Sequence, residues 1–171
     1  MDCVVSRFET CADEFILFVK KPSSDEDDKH DEHNEHQVAS VTNTTSQQCC
    51  EHVSIKYTVT RRNGDVECFD SYDDGDDDDT SLLNNFINQH VSHIKLVTDE
   101  YEEGHIEILF ASGDCLSVKP VNFHNGYYPH DFVLTVCNLS CQVEVGKEPP
   151  NLEDVVKRLE TLTCGNGDCT K

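Results

Sequence analysis

The feature that most constrains this chain is a two-residue alternation of apolar side chains in short segments. In VSIKYTV at 53–59, Val53, Ile55, Tyr57 and Val59 fall on one side and Ser54, Lys56 and Thr58 on the other. Only an extended strand with one buried face has that period. The segments EFILFVK at 14–20, HIKLVT at 93–98, HIEILFA at 105–111 and CLSVKPV at 115–121 are also short, apolar and separated by turn residues. They predict strands, with turns around Glu102-Glu103-Gly104 and at Ser112-Gly113-Asp114. Asn63-Gly64 is a strong hairpin signal. A two-residue turn there pairs Arg61 with Val66, Val59 with Cys68 and Tyr57 with Asp70, so that Cys68 faces the core. FVLTVCNLSCQVEV at 132–145 reads as one long strand or a bent pair. Its odd positions make a continuous apolar face that includes Cys137 and Cys141.

Two short helices complete the expectation. Leu82, Leu83, Phe86, Ile87 and Val91 recur at helical spacing after a cap at Asp79 or Thr80. Leu152, Val155, Val156, Leu159 and Leu162 make a second apolar stripe after Asn151, closed by Gly165. Residues 22–48 contain almost no large apolar side chains and read as a mobile acidic and His-rich loop. The chain is expected to be a single domain over 1–171: a mainly β, disulfide-stapled antiparallel β-sandwich with two short helices and long acidic loops.

The staples are inferred from ten cysteines, at 3, 11, 49, 50, 68, 115, 137, 141, 164 and 169. Cys49-Cys50, Cys137-x3-Cys141 and Cys164-x4-Cys169 are poor zinc knuckles. If 132–145 is straight, Cys137 and Cys141 lie about 13 Å apart and each must bond elsewhere. The sequons Asn43-Thr44-Thr45 and Asn138-Leu139-Ser140 agree with an oxidising, extracellular setting. Asn138, read as a strand residue between two cysteines, is the less favourable glycan acceptor. The opening residues show no secretory leader, so a secreted chain implies that a leader has been removed.

Charge narrows function further. Thirty-four acids against thirteen Lys and Arg give a formal charge of −21. Such a chain is repelled by nucleic-acid phosphates and anionic membranes, and no apolar run is long enough for membrane insertion. Much of the surplus lies in two runs. The first holds Asp25, Glu26, Asp27, Asp28, Asp31, Glu32 and Glu35; the second holds Asp73, Asp74, Asp76, Asp77, Asp78 and Asp79. Both follow predicted strands, which places them at a sheet edge or rim. They are the candidate surface for a basic protein ligand, with Tyr127 and Tyr128 as candidate contact area. The bland reading of both runs is solubility.

Other chemistry is less well supported. His30, His33 and His36, three apart among carboxylates, could bind zinc, copper or nickel. The run at 70–79 fails as a calcium loop: with Gly75 aligned, Tyr72 and Ser81 fall where ligands are required. No G-x-S-x-G elbow or phosphate-cradling glycine loop occurs, so neither an enzyme nor a cofactor is expected.

The arrangement of Cys3, Cys11, FILFVKK at 15–21, the acidic run 25–35, VSIKYTV at 53–59 and Cys68 resembles the poxvirus secreted proteins that bind chemokines and other cytokines. The likeness covers the first half of the chain and is one of pattern. It implies a β-sandwich that captures a chemokine's basic surface, in the service of viral immune evasion. The resulting expectation is a secreted glycoprotein that captures a basic, chemokine- or cytokine-like ligand. The alternatives are an intracellular acidic mimic of nucleic acid that binds basic DNA-binding proteins, and a His/Asp-rich metal-binding protein.

Overall fold

A computed structural model describes residues 2–22, 34–45, 53–71, 79–98, 103–122 and 129–146. The described residues form ten strands: β1 Val4–Cys11, β2 Glu14–Lys20, β3 His36–Asn43, β4 Val53–Thr60, β5 Val66–Asp70, β6 Val91–Thr98, β7 Gly104–Phe110, β8 Cys115–Asn122, β9 His130–Val136 and β10 Leu139–Val145. They form two antiparallel five-stranded sheets, ordered β1-β2-β3-β9-β10 and β5-β4-β8-β7-β6. The mainly β expectation is correct, with alternation as its cause. Ile55, Tyr57 and Val59 are buried on β4, Phe15, Leu17 and Val19 on β2, and Phe132, Leu134 and Val136 on β9. The inward faces of both sheets meet in one hydrophobic core.

The sheets are also joined through the backbone at one corner. The Val5 N–H donates to the Gln89 carbonyl, Asn88 N–H to Val5, and Val91 N–H to Cys3. The start of β1 is therefore shared between β2 and the entry to β6. Gly104, which opens β7, makes a second close approach: a Cβ there would stand 2.8 Å from Val143 Cγ1 of β10.

Four expectations need correction. The loop foreseen over 22–48 is interrupted by β3, a central strand whose Ala39 and Val41 are buried. Small residues suffice there because β3 is flanked by β2 and β9 and packs beneath larger neighbours. The Asn63-Gly64 turn has a three-residue loop instead of two: Arg61 and Asp65 pair, and Gly64 takes φ +93°. That adds one residue to the connection, so Thr58, not Val59, faces Cys68. A one-residue slip moves every side chain of β5 to the other face. Phe69 is consequently the residue driven into the core, stacked 5.0 Å from Tyr57, and Cys68 is exposed.

The helix foreseen after residue 79 is a 3-10 helix over Asp79–Phe86 that buries Leu83 and Phe86, three residues apart. The expected helix after Asn151 lies outside the described residues. Finally, 132–145 is the bent pair of the two readings, and the continuous odd-position face does not form: Phe132, Leu134 and Val136 are the buried residues of β9, and Val133 and Thr135 lie on its other face. The chain folds back at Cys137-Asn138, with Cys137 at φ 53°, and Val136 pairs with Leu139.

Candidate functional site

Most of the expected partner surface lies outside the described residues: Asp25, Glu26, Asp27, Asp28, Asp31, Glu32, Asp73, Asp74, Asp76, Asp77, Asp78, Tyr127 and Tyr128. The described residues define where those segments attach. The first run joins β2 to β3, two interior strands of their sheet, and not an edge strand. Its last acid, Glu35, is fastened down. The Glu35 carboxylate accepts from the Ser6 hydroxyl and from Arg7 Nε at 2.9 Å. Arg7 also pairs with Glu9 and lies 3.7 Å over the Phe18 ring. The Ser6 and Arg7 hydrogen bonds hold the Glu35 carboxyl below its usual range. Glu35 is thus engaged by its own fold, unlike a charge held ready for a partner.

The second run follows β5, an edge strand as expected, and reaches the 3-10 helix at Asp79. Its exit is pinned by Ser71. That hydroxyl accepts from Ile55 N–H at 2.8 Å and donates to the Ala12 carbonyl at 2.6 Å. Ala12 is in the β1–β2 turn, whereas the first run leaves from the other end of β2, where Lys20 pairs with Val4. Seven strand residues separate those ends, about 20 Å. The two acidic runs therefore start from opposite ends of the β1–β2 hairpin.

The frame itself is far milder in charge than the chain. The described residues hold eight of the Lys and Arg and fourteen of the Asp and Glu, leaving five bases and twenty acids for the rest of the chain. Strand register brings several of those bases together, which the charge count alone concealed. Lys56 and Lys119 lie opposite one another on the outer face of β4 and β8. Lys95 lies on the same face, opposite Glu107, and Lys119 reaches Glu103. Strict alternation in VSIKYTV and CLSVKPV already marks that face, had the lysines been followed instead of the acids.

The six described cysteines, Cys3, Cys11, Cys68, Cys115, Cys137 and Cys141, are all free thiols. The expected staples among these six are absent. Cys68 pairs with Thr58 and Cys115 with Thr60, on the two sides of β4, so two strand spacings part them, about 10 Å. That is beyond disulfide reach. Cys137 is exposed in its turn, while Cys141 opposes Leu134 on the inward side of β10. Cys49, Cys50, Cys164 and Cys169 lie outside the described residues. Burial raises the Cys3, Cys115 and Cys141 thiols, which keeps them protonated at neutral pH, the reverse of an activated nucleophile.

His36 is exposed at the head of β3; His30 and His33 lie outside the described residues. No group of three or more metal-capable side chains occurs among the described residues. The sequons separate clearly. Asn43 Nδ2 donates to Asp13 at 3.2 Å and its Oδ1 accepts from Thr45 N–H at 3.0 Å. Asn138, expected in a strand, stands exposed in the β9–β10 turn. Comparison with known proteins returns no matching family model, curated protein or solved structure.

Proposed function

We propose that this protein is a β-sandwich binding module that captures a basic protein ligand, chemokine- or cytokine-like, through the acidic segments between its strands. The observation that carries this reading is the partition of charge. The framework residues are modestly acidic, and the greater part of the surplus lies outside the described residues. Acids required only for solubility would serve equally well on the exposed faces of strands. Gathered in runs, they produce a local field that speeds encounter with a cation, most strongly at low salt. In this reading the module works extracellularly, in agreement with its two sequons and its pattern likeness to poxvirus cytokine-binding proteins. The test is binding of a basic chemokine to the whole chain across a salt series. Affinity that falls steeply with salt supports the reading, and affinity indifferent to salt removes it.

A second reading is favoured by the thiols. Six unbonded cysteines suit a reducing compartment, where an acidic chain would compete with nucleic acid for basic DNA-binding proteins. Thiol titration of denatured protein from its native source separates the two. Ten reactive thiols select the intracellular reading.

A further inference from the structure

We infer that Asn138 is an N-glycan acceptor and that Asn43, the other sequon, is not glycosylated in the folded protein. The inference rests on the extracellular reading and concerns a site independent of the acidic segments.

A sequon is useful only if the acceptor nitrogen and a large hydrophilic group can share solvent in the native fold. At the β9–β10 turn they can. Cys137, Asn138, Leu139 and Ser140 are all exposed, Leu139 at 67%. Positive φ at Cys137 reverses the chain and turns the tip outward, away from the strands it joins. No hydrogen bond to a described residue holds the Asn138 side chain. At Asn43 the circumstances are opposite. Its amide nitrogen is already a donor to Asp13 in a half-buried position, and its oxygen closes a local turn onto Thr45. Thr45 in turn accepts from Asp131 N–H at 2.8 Å, so the whole triplet is tied to β9. A sugar on Asn43 would have to fit beside the Asp13 carboxylate and would disturb this network.

The reaction is glycosyl transfer from a lipid-linked oligosaccharide diphosphate. Asn138 Nδ2 forms a bond to the sugar's anomeric carbon and loses a proton. The bond from that carbon to the diphosphate oxygen breaks, and the lipid diphosphate departs.

The same geometry gives the glycan a place. Leu139 and Val136 border an open groove along β6, from His93 to Thr98. β6 is the last strand of its sheet. A sheet edge left open by the described residues beside an exposed leucine invites pairing with other chains, and a glycan on Asn138 would stand at its margin.

The experiment directs the whole chain through a eukaryotic secretory pathway with an added leader. Wild type, Asn138→Gln, Ser140→Ala and Asn43→Gln are compared. Occupancy is read by peptide mass after enzymatic glycan release, which converts a formerly glycosylated Asn to Asp. Both secreted and cell-retained protein are measured, so a variant that fails to fold still reports. The inference expects Asn138 to be occupied in most secreted wild-type molecules and Asn43 to be unmodified. It expects the glycan to vanish in Asn138→Gln and Ser140→Ala and to persist in Asn43→Gln. An occupied Asn43 in secreted protein, or an empty Asn138 in both pools, overturns it. Ligand capture by unglycosylated bacterial protein is a separate readout, so failure here is distinguishable from failure of the binding reading.

Discussion

The two hairpins β4–β5 and β9–β10 differ in how far sequence determined them, and the difference is instructive. In β4–β5 the alternation was clean, yet one extra residue in the turn reversed the face of β5. In β9–β10 the unbroken odd-position face read from the sequence does not form, because the buried positions are even on β9 (Phe132, Leu134, Val136) and odd on β10 (Val143). A two-residue connection pairs Val136 with Leu139 and Leu134 with Cys141, so the inward positions change from even to odd across it. A pattern of period two reports which residues share a face within a strand. It does not report where the chain reverses. The same distinction divides the whole molecule. The sheets are encoded by apolar parity, and the charge surplus lies mostly outside the described residues.

If that division is real, the framework should be sensitive to core changes and insensitive to loss of acids. The largest effect is expected for Phe132→Ala, which removes a fully buried ring from the interior strand β9. A loss of about 3–5 kcal/mol in urea unfolding is expected, and a loss below about 1 kcal/mol would mean the two sheets do not share a tight core. Gly104→Val should follow, since a Cβ there meets Val143 and β-branching adds bulk. A lowered thermal midpoint is expected, partly recovered by Val143→Ala in the double variant.

Tyr57→Phe should act in the opposite direction. The Tyr57 side chain is buried against Phe15 and Phe69, its hydroxyl has no hydrogen-bond partner among the described residues, and burial raises its pKa. Removing it should leave stability unchanged or raise it by about 1 kcal/mol. A clear loss would show that the hydroxyl is satisfied in solution.

Neutralising twelve acids of the two runs to Asn or Gln, with Glu35 retained for its bond to Arg7, should shift the unfolding midpoint little, or raise it slightly by relieving self-repulsion. Collapse of the fold would break the proposed division. The smallest effect is expected for Glu35→Gln. Its carboxyl is depressed in the folded state, so its contribution to stability is present above the ordinary glutamate range and fades as pH falls through the folded value. Wild type and variant should therefore differ slightly at neutral pH and converge in acid. A gap that widens in acid would contradict the Arg7 pairing.

The legibility of the molecule follows the same line. Strands with large alternating residues, such as EFILFVK and VSIKYTV, announce themselves, and β2 occupies the residues expected. HQVASVTN does not, because Val, Ala and Ser bury well only after β2 and β9 have supplied the walls. Disulfide pairing was illegible because it depends on distances across strands, and the shifted β5 register removed the position predicted for Cys68. Of the candidate site, sequence supplied the acids but not their anchors. That Glu35 is held by Arg7, or that Ser71 ties one run to Ala12, depends on strands distant in the chain.

The most direct test compares wild type with the twelve-acid neutralised variant for binding of a basic chemokine and, in parallel, a core histone, from low to physiological salt. Wild type should bind at least one of them with an association rate that drops on the order of tenfold or more across the series. The variant, equally folded by circular dichroism, should bind more slowly and with a flatter salt dependence. Equal binding by the two proteins at every salt concentration would contradict the account.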